Sequence, residues 1–573
     1  MTDKPKAPTA PTGAPIVPPE AAQRIAALVQ GGATPPAEAL PHVDAPPLAP
    51  DSPPAADAGA ADAEATAPRR RRGRPRKPRA DGEAGEGEGE EKRAPRVRST
   101  SAETVGGVLD GVEFWHSTDN EPYATVEIDG HHEHLSVLGR AFELFLAERI
   151  YDVAGSAPTT NALRDVQRLC CIHAKKGAEH EVFRRVARAG GCIYVDLCDR
   201  AWQAIEITKD GWAVIGSAAH PVKFLRSRGM QALPEPELSE RGIEELREFV
   251  NADGPDDFTL VVSWLLAAFG GLSAFPIAVL SGEAGSGKSR LAEKMRALTD
   301  PHIAPMRSPP RDLRDLFAGA SNQFITCIDN ISRMEADLSD SLCRMASGSA
   351  EATRALNTNA EEVYLTGARP IILTGIGDHW GQQSDLATRS LAIKLAAIPE
   401  TERRTDVDLD AAFAAARPRI IGALCDAVSS GLRREGSVRL ERLPRLADFA
   451  RWVTACEPGL GWDEGTLAAA LEAGRHESSA TAFDADEVAK AIHAFILDDY
   501  PVAGWEGTAG RLLTALNARV SEEVRRLRSW PGNPTAMGTR IERVAGLLRW
   551  KGFTVIRRRG AERSIVIKPP AAK

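Results

Sequence analysis

Ser281-Gly282-Glu283-Ala284-Gly285-Ser286-Gly287-Lys288-Ser289 is the stretch from which the rest of the chain is read. It fits the spacing G-x-x-x-x-G-K-[ST], with the apolar run Ile277 to Leu280 before it and the amphipathic stretch Arg290 to Leu298 after it. Strand, glycine-rich turn and helix, in that order, are the context this spacing needs. Glycines let backbone N–H groups curl around phosphate oxygens without Cβ clashes, and the helix start adds its own unpaired donors. Residues Gly282, Glu283, Ala284, Gly285, Ser286, Gly287, Lys288 and Ser289 are therefore expected to hold ATP. Lys288 would bring positive charge to the β- and γ-phosphates, and the Ser289 hydroxyl would ligate Mg2+.

Three further strands should follow if this is an ATPase core. Phe324-Ile325-Thr326-Cys327-Ile328-Asp329 is an apolar run ending in a carboxylate, with Asp329 placed to share the Mg2+. The next residue is Asn330, which can orient an attacking water but cannot take its proton. Pro370-Ile371-Ile372-Leu373-Thr374 puts a hydroxyl at the end of a buried strand, within reach of a γ-phosphate. Leu391 to Leu395 follows Asp385-Leu386-Ala387-Thr388-Arg389, where an arginine at the sheet edge can reach a neighbouring subunit's nucleotide. Lys288, Asp329, Asn330, Thr374 and Arg389 are the expected catalytic set.

The uncharged run Phe258 to Leu280 is long enough to imitate a membrane span. Gly270, Gly271 and Pro276 interrupt it, so it reads instead as a buried helix (Phe258 to Phe269), a turn and a buried strand. No membrane partner is expected.

Composition divides the 573 residues unevenly. All 31 aromatics lie from Phe114 onward, whereas the first hundred residues hold 18 of the 39 prolines. A segment without large apolar side chains cannot offset its conformational entropy, so residues 1–104 are read as a disordered tail. Within it, Arg72-Gly73-Arg74-Pro75 lies in a basic run. Pro75 keeps its neighbour extended, and such a narrow chain suits an A·T-rich minor groove. It resembles an AT-hook, with Arg72 and Arg74 as the DNA contacts; a plain solvated basic run is the equal alternative. Eight cysteines with no C-x-x-C pair, and no secretory signal at the start, point to reduced thiols in a cytoplasmic protein.

Residues 105–235 alternate strand-like and helical runs and read as an α+β adapter domain. Two groups there tempt a metal assignment: His131, His132 and His134, and Cys170, Cys171, His173, Cys192 and Cys198. Neither has zinc spacing, and no metal is expected. Residues 236–400 make the ATPase core, 401–478 a helical lid and 479–573 a last unit of helices followed by a hairpin. Net charge is −8 overall, yet from Trp505 onward about 15 Lys and Arg face about 5 Asp and Glu. The helix–helix–helix–hairpin pattern is that of a winged helix. Arg540 and Arg543 would lie in a groove of duplex DNA, while Arg557, Arg558 and Arg559 would touch phosphates from the wing.

The order of phosphate loop, Asp329-Asn330, Arg369-Pro370-Ile371-Ile372-Leu373-Thr374-Gly375-Ile376 and Asp385-Leu386-x-x-Arg389 resembles the AAA+ replicative helicases of phages, prophages and other mobile elements. These are similar to the superfamily 3 helicases. The resemblance covers about 235–573 and implies an ATP-dependent DNA helicase or translocase working as a homo-hexameric ring, alongside other replication proteins. It also implies that Glu351 to Arg369 form a hairpin gripping single-stranded DNA in the channel, with Arg354 on the rising strand and Asn359 at the tip. Two other functions stay open. One is a primase-helicase making primers with 105–235, and the other a DNA-binding regulator that uses ATP only as an assembly switch.

Overall fold

The computed structural model describes residues 107–348, 351–354, 362–365, 367–375, 384–558 and 563–570. Its centre is a four-stranded parallel sheet in the order Thr326–Ile331, Ile371–Gly375, Ile277–Gly282, Ser390–Leu395. These strands read as almost unbroken apolar runs because both faces are covered, as parallel sheets require. Successive side chains feed two different cores. Ala278, Leu280, Ile372 and Cys327 pack toward one face, and Ile277, Val279, Ile371, Leu373 and Ile328 toward the other. The second face is closed by helices Leu313–Ser321 and Ala336–Ala346.

Helix Pro255–Gly270 lies in the larger core. Pro255 opens it, Asp256 and Asp257 complement its dipole, and Gly271 at φ 56° ends it. Phe258 to Gly270 are all buried, since the helix is surrounded by the sheet, helices Asp406–Arg434 and Ala447–Cys456, and an antiparallel meander. Trp264 donates to the Pro276 carbonyl at 3.1 Å and Trp452 to the Leu266 carbonyl at 2.9 Å, so both indoles find partners in a dry interior. At 16 residues the helix is roughly 24 Å long, short of a bilayer's hydrocarbon thickness of about 30 Å. Among the described residues no helix is long and apolar enough to cross a membrane.

The meander comprises Val186–Ala189, Cys192–Asp196, Ala204–Thr208 and Gly211–Ile215. Its inward residues Ile193, Val195, Ile205 and Ile207 share a core with Trp264 and Leu424. A separate sheet, in the order His131–Ser136, Pro122–Ile128, Glu113–Ser117, Ala178–His180, packs with helices Arg140–Ala154 and Thr160–Lys176 around Phe142, Leu146 and Val166. Thus the sequence segment 105–235 supplies two sheets with different neighbours.

At the C-terminal end, helix Glu487–Asp499, strand Trp505–Gly507, helices Ala509–Asn517 and Pro534–Trp550, and strands Thr554–Arg558 and Ser564–Lys568 surround their own core. The three strands pair antiparallel, with Ser564–Lys568 in the middle. Helix Ala509–Asn517 ends at Asn517, whose side chain accepts from Trp530 Nε1 at 2.8 Å; a short helix Glu522–Arg525 follows. Asn533 caps the last helix by accepting from Ala536 N at 2.8 Å, and Pro534 sits in its first turn.

Candidate functional site

Strand Ile277–Gly282 leads into the glycine-rich loop, and helix Lys288–Thr299 leaves it. The loop needs its glycines for space and for backbone. A Cβ on Gly282 would stand 2.7 Å from both the Leu395 carbonyl oxygen and Ser286 Oγ, at a φ of 150°. Gly285 and Gly287 adopt φ 81° and 85°, left-handed values that a side chain would strain. The helix begins with no side-chain cap, and the first N–H groups of any α-helix have no partner within it. Lys288 Nζ folds across the loop, donating to the Gly282 carbonyl at 2.9 Å and the Glu283 carbonyl at 2.7 Å. Burial lowers its pKa, partly opposed by the Asp329 carboxylate.

Asp329, Asn330, Thr374 and Ser289 converge at the same end of the sheet. Pairing of Thr326–Ile331 with its neighbour slips between Ile328 and Ile331, a bulge that re-aims the side chains at that point. Asn330 occupies the left-handed region at φ 56°, a conformation that Asn tolerates better than Glu. Local backbone geometry therefore suits Asn at this position. Ser289 Oγ donates to Asp329 Oδ1 at 2.8 Å, and Thr374 Oγ1 donates to the same oxygen. Thr374 in turn accepts from Asn330 N at 2.9 Å, so its hydroxyl is a strut between the two strands. Ser289 and Asp329 offer only hard oxygen donors, the set that Mg2+ takes.

Arg389 lies elsewhere. Ser390 is level with Ile277 and Leu395 with Gly282, which places Arg389 about 20 Å down the sheet from its own loop. Its Nε donates to Asp385 at 3.1 Å and its guanidinium also bonds Ser347 Oγ. Asp385 is held as well by Arg445 at 2.5 Å, and the arginine pair keeps its carboxyl below the usual range, against the opposing effect of burial. A polar cavity of about 170 Å³ lies beside this cluster, lined by Asp340, Cys343, Arg344, Ser347, Asp385 and Arg389.

The expected DNA contacts are dispersed. Strands Glu351–Arg354 and Glu362–Leu365 pair antiparallel, with Arg354 opposite Glu362. Asn359, Arg559, Arg72 and Arg74 lie outside the described residues. Arg543 is exposed on helix Pro534–Trp550. Arg540 is engaged by Asp486 at 2.6 Å, Arg557 pairs with Glu542, and Arg558 pairs with Glu506 at 3.2 Å. Asp196 and Asp199 clasp Arg226. Among the described residues no three His, Cys, Asp or Glu side chains come together as a metal site.

Two features of the site carried no sequence signal. Asn251 Nδ2 donates to the Ser286 carbonyl at 3.3 Å and the Ala396 carbonyl at 2.5 Å, tying the loop to the segment after the last strand. Asp300, fully buried, accepts from Arg185 Nε at 3.1 Å and from the Phe324 and Ile325 amides at 3.2 Å each. It joins the end of the loop's helix to the start of the Asp329 strand.

No curated protein matches the chain. Among solved structures it is similar to two apo forms of the NrS-1 C-terminal region, each at 11% identity. One match covers 81% of this chain and 98% of that one at a TM-score of 0.37; the other covers 82% and 99% at 0.36. Residues 243–472 match the model of the actinomycete integrative conjugative element replication protein, and residues 488–573 match the C-terminal domain model of the same family. Together the two matches span more than half of the chain, which belongs to the replication proteins of actinomycete integrative conjugative elements.

Proposed function

We propose that this replication protein is an ATP-dependent DNA helicase or translocase with an AAA+ P-loop core, working as a homo-hexameric ring. The observation that carries the proposal is the junction of Ser289, Asp329 and Thr374 beside Lys288, at the C-terminal ends of parallel strands. Ligands of open parallel sheets bind at that edge. The Asp329 strand is separated from the loop strand by the Thr374 strand, as in ATPases that use such a strand to position water.

In this mechanism the loop amides and Lys288 hold the β- and γ-phosphates of ATP. Water attacks the γ-phosphorus in line, the bond to the β–γ bridging oxygen breaks, and ADP leaves with the electron pair. Asn330 orients the water without accepting its proton, which passes to the phosphate product. Ser289 and Asp329 would hold Mg2+, which neutralises charge developing on the phosphates. Arg389 is too far from its own loop to take part there. It would serve a neighbouring subunit, which is why a ring is proposed.

Apart from the four-residue helix Glu522–Arg525, the C-terminal unit runs helix, strand, helix, helix, strand, strand, an order that supports a winged-helix reading, and Arg543 faces outward from its longest helix. It would bind duplex DNA, while the region Glu351 to Arg369, with its paired strands Glu351–Arg354 and Glu362–Leu365, would meet single-stranded DNA in the channel. The test is displacement of a labelled strand from forked duplex DNA. Displacement that needs hydrolysable ATP supports the motor. ATP binding and ring assembly without displacement or turnover would instead support a non-motor switch.

A further inference from the structure

Away from the phosphate loop, a cavity of about 440 Å³ opens beside strand Thr326–Ile331, the edge of the parallel sheet. One wall is the segment carrying Arg307, which runs parallel to that strand. Arg307 N donates to the Cys327 carbonyl at 3.0 Å, and Asp329 N donates to the Arg307 carbonyl at 2.8 Å. Another wall is helix Leu313–Ser321, whose Gly319 leaves room for the arginine; a Cβ there would stand 3.0 Å from Arg307 Cζ. Arg307, Ser308, Arg311, Asp315 and Gln323 bring polar side chains to the cavity, and Pro310, Leu316 and Ile328 bring apolar ones.

Gln323 is 1% exposed, and the two ends of its amide differ. Oε1 accepts from Arg296 Nη2 at 2.9 Å. Arg296, itself fully buried, has only donors, and it is fixed by the Asp300 carbonyl at 3.2 Å and the Pro305 carbonyl at 2.7 Å. The amide is therefore locked with Oε1 toward the guanidinium and Nε2 away from it. Nε2 is buried without a hydrogen-bond partner. A buried donor lacking an acceptor is costly, and the cavity that Gln323 lines is where an acceptor can enter.

The charged side chains of the cavity are available as well. Among the described residues Arg307, Arg311 and Asp315 form no ion pair. Two guanidiniums against one carboxylate leave a net positive charge, which suits an anion, and a guanidinium can grip phosphate oxygens in pairs. A bare anion would leave most of the space empty, since cavities of about 300–1,000 Å³ take small organic molecules. Apolar surface at Pro310, Leu316 and Ile328 suits a flat ring. Gln323 Nε2 asks for an acceptor on that ring, and Asp315 asks for a hydroxyl. A ribonucleotide carries all of these groups in one molecule.

We propose that this cavity binds a ribonucleoside monophosphate, at a site separate from the phosphate loop. Arg307 and Arg311 take the phosphate, Gln323 the base and Asp315 the sugar hydroxyls. The loop draws on β- and γ-phosphates that a monophosphate lacks, so the two sites are distinguished by their ligands.

The test is equilibrium dialysis of the full chain against each of the tritiated monophosphates of adenosine, guanosine, cytidine and uridine. Wild type is compared with Lys288→Ala, Arg307→Ala, Gln323→Glu and Arg314→Ala. At least one nucleotide should bind saturably, and equally well to Lys288→Ala. Arg307→Ala should weaken that binding on the order of tenfold or more, as loss of a charge-assisted bond does. Gln323→Glu keeps an acceptor for Arg296, so it should melt no lower than wild type. It also turns an acceptor toward the ligand in place of a donor, and should bind about tenfold more weakly. Arg314→Ala, exposed on the same helix but outside the cavity, should stay within about twofold of wild type. No saturable binding of any of these nucleotides, or wild-type affinity in both Arg307→Ala and Gln323→Glu, would overturn the proposal. Binding lost in Lys288→Ala would overturn it by assigning the nucleotide to the loop, and full displacement by a dT oligonucleotide would overturn it in favour of DNA.

Discussion

Ser289 and Asp329, 40 residues apart in the chain, are joined by a hydroxyl–carboxylate hydrogen bond of 2.8 Å. The bond exists because a bulge and a left-handed Asn330 turn the end of one strand toward the loop at the end of another. Thr374, donating to the same carboxylate oxygen from the strand between them, completes the junction.

That shared oxygen makes Thr374 testable. Thr374→Val keeps the shape but removes a donor to Asp329 and an acceptor for Asn330 N. A hydrogen bond to a charged group contributes about 1.5–3 kcal/mol, so ATP turnover should fall about 10–100-fold. Thr374→Ser should restore most of it. Steady-state kinetics checks this, and equal kcat in the Val variant would show that the strut does not serve the reaction.

Arg389 calls for an experiment on mixtures. Arg389→Ala should still bind ATP, since Gly282 to Ser289 in the same subunit are untouched, yet hydrolyse it roughly 10³–10⁵-fold more slowly. Mixed with Lys288→Ala protein, some interfaces regain an intact loop from one subunit and an intact Arg389 from the other. Turnover should reappear in co-purified mixed rings. Dead mixtures would reduce Arg389 to its ion pair with Asp385.

For the C-terminal unit the structure separates arginines that look alike in sequence. Arg543 is exposed, whereas Arg540 is held by Asp486. Arg543→Ala should weaken duplex binding and lower the log–log salt slope by about 0.9. Arg540→Ala should leave the slope unchanged and lower the unit's melting temperature. Salt titration of DNA affinity, with thermal melts, checks both; identical slopes for wild type and Arg543→Ala would remove it from the interface.

What could be read in the sequence was what depends on local pattern. The loop, the Phe258 to Phe269 helix and the runs at Ile328, Leu373 and Ile393 were legible because full burial leaves apolar runs bounded by Gly and Pro. Strand His131–Ser136 was not, since as a sheet edge with one buried side chain, His134, it shows no alternation. The Arg540–Asp486 pair joins residues 54 apart, and Asn251 reaches Ala396 across 145. Such partners are set by tertiary packing and leave no trace in spacing.

His134 shows how tightly the first sheet is specified. Thr125 Oγ1 accepts from Trp115 Nε1 and from Lys223 Nζ, each at 3.0 Å, so its single proton goes to His134 Nδ1. That nitrogen must be unprotonated, and burial first, then Lys223, His220 and His132, push the His134 pKa from 6.5 down to about 3. The unfolded chain binds a proton that the folded one refuses, so stability is full above pH 6.5 and is lost as pH falls toward 3. At pH 5 the loss should be about 2 kcal/mol. His134→Asn should flatten the fall in melting temperature between pH 7.5 and 5; parallel curves would contradict it.

The most direct test of the motor is ATP hydrolysis by the purified full chain, with and without single-stranded DNA, beside Lys288→Ala. The account predicts turnover in the wild type that rises with DNA, and none in the variant, although its fold is intact by circular dichroism. Wild-type turnover that DNA leaves unchanged, or that survives the loss of Lys288, would contradict an ATP-driven DNA motor built on this loop.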